Sequence, residues 1–511
     1  MLEQIIENTT EYICQMPKSV RKRYGQFFTS KETARYMAGL FEIPQGKEKL
    51  QILDAGSGSG ILAVALLERL EKEQHINAVR LVCYETDDNI ISLLKKNLEE
   101  ACLSSRLHID FEVRTDNYIL SQYLEYNQLL GANPFPDKFD LVIGNPPYLK
   151  ISKNAPEAKA MQDVCYGAPN LYFLFASMGS FNLKSGGEMV YIIPRSWTSG
   201  AYFEKFRKKF LDECVIKHLH LFVSRDKVFD KEKVLQETLI IKVKKSSIEP
   251  KFINVTTTES CKDFSNLTHF KAPYRSVVSP QNRYVYLVTS EEDSEILDQI
   301  NVWNNTLPAI GLPMKTGLTV DFRNRDMLRD VAGEHTVPLF YSQHIKEGKV
   351  IFPIGKNNEF IADTREGLLQ NNVNYLFVKR FTAKEENRRL QSGVYLSRLH
   401  PDYKLISTQN KINFIGGVQQ LSECVIYGLY VIFNSTYYDR YYRILNGSTQ
   451  VNSTEINSMP VPPLSIIEAM GKKLINKKDT SEQTCDEILR GFLYEEIRRS
   501  KKYIKPIASA G

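Results

Sequence analysis

At 511 residues the chain is too long for one ordinary hydrophobic core, and two or three domains are expected. Its 42% hydrophobic and 25% charged residues describe a soluble globular protein, with no apolar run near the ~18 residues that a membrane span needs. The net charge of +6 excludes a polycation, so any nucleic-acid partner must be met by local patches such as "KFRKKF" (205–210), "VKRF" (378–381) and "RRSKK" (498–502).

The opening segment, "MLEQIIENTTEYICQMPKSVRKRYG", lacks the apolar core of a signal peptide, and a cytoplasmic location is expected. Short strands rich in Val, Ile, Leu and Tyr then recur at 50–56, 80–86, 107–113, 139–144, 188–194, 216–223 and 237–245. Helical patterns lie between most of them, for example Ile61, Leu62, Ala65, Leu66 and Leu70 on one face. This alternation predicts an α/β fold with a mainly parallel sheet, and the close spacing of the last two strands predicts an antiparallel hairpin at one edge. After "KKSSIEP" (244–250) clear alternation fades into short irregular strands, ending in a helical tail at about 480–503. The spacing therefore predicts one domain over 1–245 and a second, α+β domain over 246–511.

The first strand runs into "ILDAGSGSG" (52–60). Glycines at 56, 58 and 60 permit a tight turn and close approach of a ligand to backbone N–H groups. A nicotinamide-binding turn or a purely structural strand–helix corner can look similar, and Asp54 could simply cap the turn. Glu85, ending the second strand, can accept both hydroxyls of a ribose, and Asp116 follows the third. Acidic residues at successive strand ends point to an adenosine-containing cofactor.

The fourth strand stops at Asn145-Pro146-Pro147-Tyr148. Two prolines remove two backbone donors and fix two φ angles, so neither a helix nor a ladder continues through them. An amide, a rigid backbone and an aromatic ring are thereby held at the carboxyl end of a strand, where open α/β sheets bind ligands.

Gly-rich turn, acidic strand end and Asn-Pro-Pro-Tyr, in this order, resemble the S-adenosylmethionine-dependent amino-methyltransferases of DNA. "RYGQFFTSKETARYMAGL" (23–40) and the stretch 168–210, with its Lys-x-Gly-Gly turn and Pro-x-x-Trp, are similar to the gamma-class, TaqI-like adenine methyltransferases of type II restriction–modification systems. The resemblance implies a Rossmann-like methyltransferase sheet and S-adenosylmethionine as cofactor. Thr29 would then contact its carboxylate, Asp54 and Gly56 would line its methionine moiety, Glu85 would hold the ribose and Asp116 the adenine, with Gly58 also binding the cofactor. It also implies that Asn145 and Pro146 accept the two N–H bonds of a flipped base's exocyclic amine. Tyr148 and Phe203, six residues beyond Trp197, would stack on its two faces.

The second half is similar to target-recognition regions, and "TGLTVDFRNRDML" (316–328) and "YLFVKRFTAKEENRRLQSGVY" (375–395) resemble the PstI and BsuBI subgroup. That would imply CTGCAG as the site, double-stranded DNA as partner, a separate cognate nuclease, and Arg323, Lys379, Arg380, Arg388 and Arg389 as DNA contacts. Asn-Pro-Pro-Tyr also serves N4-cytosine methyltransferases, where Ser-Pro-Pro-Tyr is commoner, and protein glutamine-N5 methyltransferases, which lack the long second half. A cytosine-C5 enzyme is excluded by the absence of Pro-Cys. The eight scattered cysteines contain no C-x-x-C pair, and His218 and His220 have no third ligand nearby in sequence, so no metal is expected.

Overall fold

The computed structural model describes residues 1–15, 28–133, 136–222, 238–259, 264–383, 386–417, 419–445 and 450–503. The chain divides into two compact units, Met1–Glu291 and Glu292–Gly511.

The first unit is built on a nine-stranded sheet: β1 (Lys49–Ala55), β2 (Ala78–Tyr84), β3 (His108–Arg114), β4 (Phe139–Gly144), β5 (Leu183–Pro194), β6 (Cys214–Phe222), β7 (Thr238–Lys245), β8 (Phe252–Thr258) and β9 (Thr268–Pro273). Their order is β3-β2-β1-β4-β5-β7-β6-β8-β9. The first five strands are parallel, whereas β7 lies antiparallel between β5 and β6. All six residues of β4 are buried, as a strand covered on both faces requires.

The antiparallel β6–β7 pair agrees with the sequence. The outer edge is formed further along, because β8 pairs parallel to β6 and β9 antiparallel to β8. This continuation corrects the boundary at 245/246: the composition changes there, yet the backbone hydrogen bonds of the sheet carry on, and the unit closes near Glu291.

The helix Leu2–Gln15 joins the Gly-rich turn through side chains. Thr9 Oγ1 lies 2.8 Å from Ser59 Oγ, and Asn8 Nδ2 donates to Asn97 Oδ1 at 2.9 Å. Wholly buried Asn97 in turn donates to the Ser59 carbonyl at 2.8 Å. A buried carboxylate or amide is tolerated only when such partners replace water.

At the other end of the sheet, buried Lys242 lies 3.1 Å from Glu188 and 3.0 Å from Glu42. His218 and His220 point at Thr256 Oγ1 from 2.8 and 2.9 Å. Burial pushes their pKa values down to about 4 and about 3, so both rings are neutral hydrogen-bonding groups of the core. Among the described residues no cluster of three or more His, Cys, Asp or Glu is placed to hold a metal, and no helix is long and apolar enough to cross a membrane.

The second unit contains a six-stranded and a five-stranded sheet of short strands, together with the helices Glu423–Asn434, Thr436–Leu445, Leu464–Lys477 and Glu482–Tyr503. Two of these helices cross at glycines. A Cβ on Gly428 would meet the Ile467 carbonyl oxygen at 1.8 Å, and one on Gly471 the Cys424 carbonyl oxygen at 1.8 Å. No flexible side chain can yield there, since both obstacles are backbone. Gly428→Ala should therefore lower the urea midpoint by the equivalent of roughly 3 kcal/mol or more. Gly491→Ala, where a Cβ meets nothing within 4 Å, should raise it by about 0.5–1 kcal/mol. Equal effects of the two substitutions would contradict the backbone-contact explanation.

Candidate active site

The carboxyl ends of β1, β2, β3 and β4 open onto one pocket. Its lining includes Phe28, Gly56, Gly58, Tyr84, Glu85, Asp116, Asn117, Tyr118, Asn145, Pro147, Leu171 and Phe175. Gly56 and Gly58 have φ values of 75° and 55°, a region that side-chain-bearing residues rarely adopt. A Cβ on Gly56 would stand 3.6 Å from the Phe175 ring and 3.8 Å from Pro147. The turn thus lies directly against the aromatic wall, and bulk at Gly56 would narrow the pocket.

Glu85 joins the turn to the end of β2. Its Oε2 accepts from Gly58 N at 2.8 Å, and its Oε1 accepts from Thr86 N and Asp87 N at 2.8 and 3.0 Å. Burial raises its pKa while these three backbone donors lower it; the net direction is upward. Tyr84, Tyr118 and Phe175 form a ring cluster with centroids 4.9 and 5.2 Å apart. An aromatic wall with acidic groups at its rim suits an apolar heterocycle joined to a sugar with hydroxyl donors, so the residues present fit the adenosine part of S-adenosylmethionine.

Asp54 is displaced from its expected place. It is fully buried and absent from the pocket lining; its Oδ2 accepts from Ala63 N at 3.2 Å, at the start of the helix Ile61–Leu70. That helix begins at Gly60, which offers no capping side chain, so Asp54 supplies the missing acceptor from the neighbouring strand. Among the described residues its other oxygen, Oδ1, has no hydrogen-bond partner. Burial first, and then the Glu85 charge, push its pKa up to about 7 against the opposing effect of the Ala63 N–H.

Asn145 follows β4 and is oriented from both sides. Its Nδ2 donates to Thr29 Oγ1 at 3.3 Å, and the Tyr148 hydroxyl lies 2.8 Å from its Oδ1. That hydroxyl is also 3.0 Å from the Ile192 carbonyl oxygen on β5. The Thr29 and Tyr148 hydroxyls hold the amide plane from its two ends. Tyr148 meets Tyr172 edge-on at 6.3 Å, and Tyr172 meets Phe203 at 6.0 Å with a 33° tilt.

Tyr172, Phe175, Tyr118 and Asn117 were not singled out in the sequence. They lie in a helix and a loop whose composition is that of ordinary core and turn. Residues 23–27 of the expected cofactor cover lie outside the described residues, as does Cys261.

In the second unit the arginine expectations divide. Arg389 is wholly buried, donating through Nε to Thr382 Oγ1 at 3.2 Å with its guanidinium over the Tyr442 ring. Arg388 donates to the Phe433 and Ser435 carbonyl oxygens at 3.3 and 3.1 Å and pairs with Glu482 at 2.7 Å. Both are internal braces and not DNA contacts; Arg388 satisfies the carbonyl end of the helix Glu423–Asn434. Lys379 and Arg380 are half-buried, bonded to Gln391 and to the Asn410 carbonyl at 2.8 and 3.0 Å. Arg323 is exposed beside the exposed Phe322 ring.

The patch 205–210 is likewise mixed, since Phe206, Arg207 and Phe210 are buried. In the patch 498–502 the side chains from 500 onward lie outside the described residues.

Asp54 makes stability depend on pH. With a folded pKa of about 7 against an ordinary 3.8, the folded state holds the proton more tightly. Its contribution is present at low pH and is lost as pH rises between these two values. Asp54→Asn should flatten the decline in unfolding free energy across that window relative to the parent chain. Parallel curves would show that Asp54 ionises normally.

The Eco57I restriction-modification methylase family profile matches residues 70–229. The chain is 32% identical over 491 residues to the type II methyltransferase M.PstI of Providencia stuartii, covering 94% of each chain. It is 34% identical over 487 residues to the type II methyltransferase M.BsuBI of Bacillus subtilis, covering 93% of this chain and 94% of that one. A solved structure of the type IIL restriction-modification enzyme MmeI in complex with DNA shares the fold, with a TM-score of 0.52 at 11% identity over 99% of this chain and 75% of that one. With a methyltransferase sheet, a pocket shaped for adenosine, and this similarity along nearly the whole chain, the protein belongs to the type II restriction–modification methyltransferases, enzymes that methylate DNA using S-adenosylmethionine.

Proposed function

We propose that the chain methylates the N6 amine of adenine in double-stranded DNA, with Met1–Glu291 carrying the chemistry and Glu292–Gly511 choosing the site. The observation that carries this reading is the Asn145 amide, held at the pocket rim with its oxygen turned toward a donor.

An exocyclic amine is a poor nucleophile while its lone pair is conjugated with the ring. Two acceptors facing its two N–H bonds favour a pyramidal nitrogen and free the lone pair. Asn145 Oδ1 and the Pro146 carbonyl are those acceptors, and the Pro-Pro backbone keeps them from reorganising as charge develops. The Tyr148 hydroxyl occupies the donor position that the amine takes over. Bound S-adenosylmethionine would supply an electrophilic methyl group on a sulfonium, and an amine held by these two acceptors would need no prior deprotonation to take it. The surplus proton leaves to solvent afterwards.

Gly56, Gly58, Glu85 and Asp116 hold the cofactor, Glu85 through the ribose hydroxyls. Thr29 serves as the acceptor that orients Asn145. Tyr148 and Phe203 stack on an adenine turned out of the duplex, whose interior would otherwise hide the amine. Asn at the first position of the quartet favours adenine over N4 of cytosine, and the large second unit favours DNA over a protein glutamine. The likeness to M.PstI and M.BsuBI supports CTGCAG as the site and protection from a cognate nuclease as the biological role. In the second unit Arg323 is the strongest remaining candidate for a DNA contact.

Two substitutions test the assignment. Asn145→Ala should reduce labelling of DNA from methyl-labelled S-adenosylmethionine by at least ~100-fold while cofactor binding stays nearly unchanged; an active variant removes Asn145 from the chemistry. Glu85→Ala should weaken cofactor binding by roughly tenfold to a hundredfold in calorimetry, from the loss of charge-assisted hydrogen bonds. Unchanged affinity would take Glu85 out of the cofactor site.

A further inference from the structure

Two large aromatic side chains near the Asn-Pro-Pro-Tyr segment stand in solvent: Tyr166 is 59% exposed and Tyr202 66%. Their ring centroids are 6.1 Å apart with planes tilted by 56°, so they form a pair rather than two isolated surface residues. Single exposed aromatics need no explanation, whereas adjacent ones on structured loops form a surface that favours an apolar or π-rich partner.

The pair is fixed in place by its surroundings. The loop that carries Tyr166 is clamped to the segment after Tyr148: Leu171 N donates to the Leu149 carbonyl at 2.8 Å, and Ile151 N to the Pro169 carbonyl at 2.8 Å. At Gly167, with φ of 76°, the backbone turns so closely against Tyr202 that a Cβ would stand 3.7 Å from its ring. Tyr202 sits on the turn after Trp197, which buried Arg207 fixes by donating to the Trp197 and Gly200 carbonyls at 2.9 and 2.6 Å.

The next residue, Phe203, turns inward and packs at 5.5 Å on Phe173 as well as on Tyr172. Consecutive residues on one turn thus face opposite ways, one toward the buried Tyr172 and Phe173 and one toward solvent. Exposed Lys150 and Lys153 lie on the segment clamped to the Tyr166 loop, and exposed Lys205 and Lys208 on the helix Glu204–Glu213 that follows Tyr202.

We propose that Tyr166 and Tyr202 form a stacking surface for the nucleobases of the target strand that flank the extruded base, with the four lysines drawing in its phosphates. This rests on the reading of the chain as a DNA base-flipping enzyme and adds a contact that neither the catalytic quartet nor Phe203 supplies. A base next to an extruded one has lost a stacking neighbour, and a tyrosine face replaces it without regard to sequence. The continuity Tyr148–Tyr172–Phe203, with Tyr202 adjoining, places this surface beside the base site. Methylation chemistry itself is untouched by the pair.

The test uses the full chain, mixed-sequence duplex DNA and labelled S-adenosylmethionine. Tyr166→Ala and Tyr202→Ala should each raise the KM for DNA, and the double variant should raise it by roughly tenfold to a hundredfold. Cofactor affinity and thermal midpoint should stay at parental values, and the Tyr→Phe variants should restore KM because the ring is kept. In parallel, DNA carrying 5-iodouracil in place of thymine is photocrosslinked to the parent chain. Crosslinks mapping to Tyr166 or Tyr202 support the surface; crosslinks confined to other residues, or a double Ala variant with parental KM, overturn it. Failure of the parent chain to label any DNA would overturn the functional reading and this inference together, a result distinct from a parent chain that labels DNA regardless of the two tyrosines.

Discussion

The termination of β4 is the constraint from which the site follows. Gly144 ends a strand buried along its whole length, and Pro146 and Pro147 prevent the backbone from continuing as ladder or helix. Asn145 is left at the rim of the pocket with its amide set by Thr29 on one side and Tyr148 on the other. Thr29 comes from the segment before β1, and Tyr148 is tied to β5 through Ile192. The amide therefore sits where three parts of the unit converge, and no single loop movement can rotate it independently. Preorganisation of this kind is what an enzyme needs when the reacting nitrogen must be held by acceptors rather than deprotonated by a base.

The same economy of backbone contacts recurs around the cofactor pocket. Glu85 accepts three backbone N–H groups and so ties the Gly-rich turn to β2. Asp54 does the equivalent on the other side by capping the helix that the turn begins. One carboxylate faces the pocket and the other the core, and the turn is held between them. In the second unit the glycine-to-carbonyl contacts at Gly428 and Gly471 are equally intolerant of added bulk.

Much of the first unit was legible in the sequence because its signals are local. The limits of β4 coincide with the apolar run 139–144, and Asn-Pro-Pro-Tyr stops that run by covalent geometry alone. Glu85, Gly56, Gly58 and Asp116 line one pocket because strand ends are set by the same patterning.

What was not legible depends on direction and partners. Asp54 was read as a pocket residue, but its carboxylate turns to Ala63 N, a partner nine positions ahead that composition does not reveal. Arg388 and Arg389 were expected as DNA contacts, yet one satisfies helix carbonyls and the other is buried over an aromatic ring. The boundary at 245 followed a change in composition, whereas the sheet follows backbone pairing and takes in β8 and β9. Charge and composition describe what a residue can do; only the fold decides which groups it meets.

The most direct measurement is the chemical identity of the product. Duplex DNA of mixed sequence is incubated with the enzyme and methyl-labelled S-adenosylmethionine, digested to nucleosides and resolved by mass. The account predicts that the label resides in N6-methyldeoxyadenosine. Label in N4-methyldeoxycytidine would keep the amine chemistry and contradict the choice of base, and DNA without label would contradict the account as a whole.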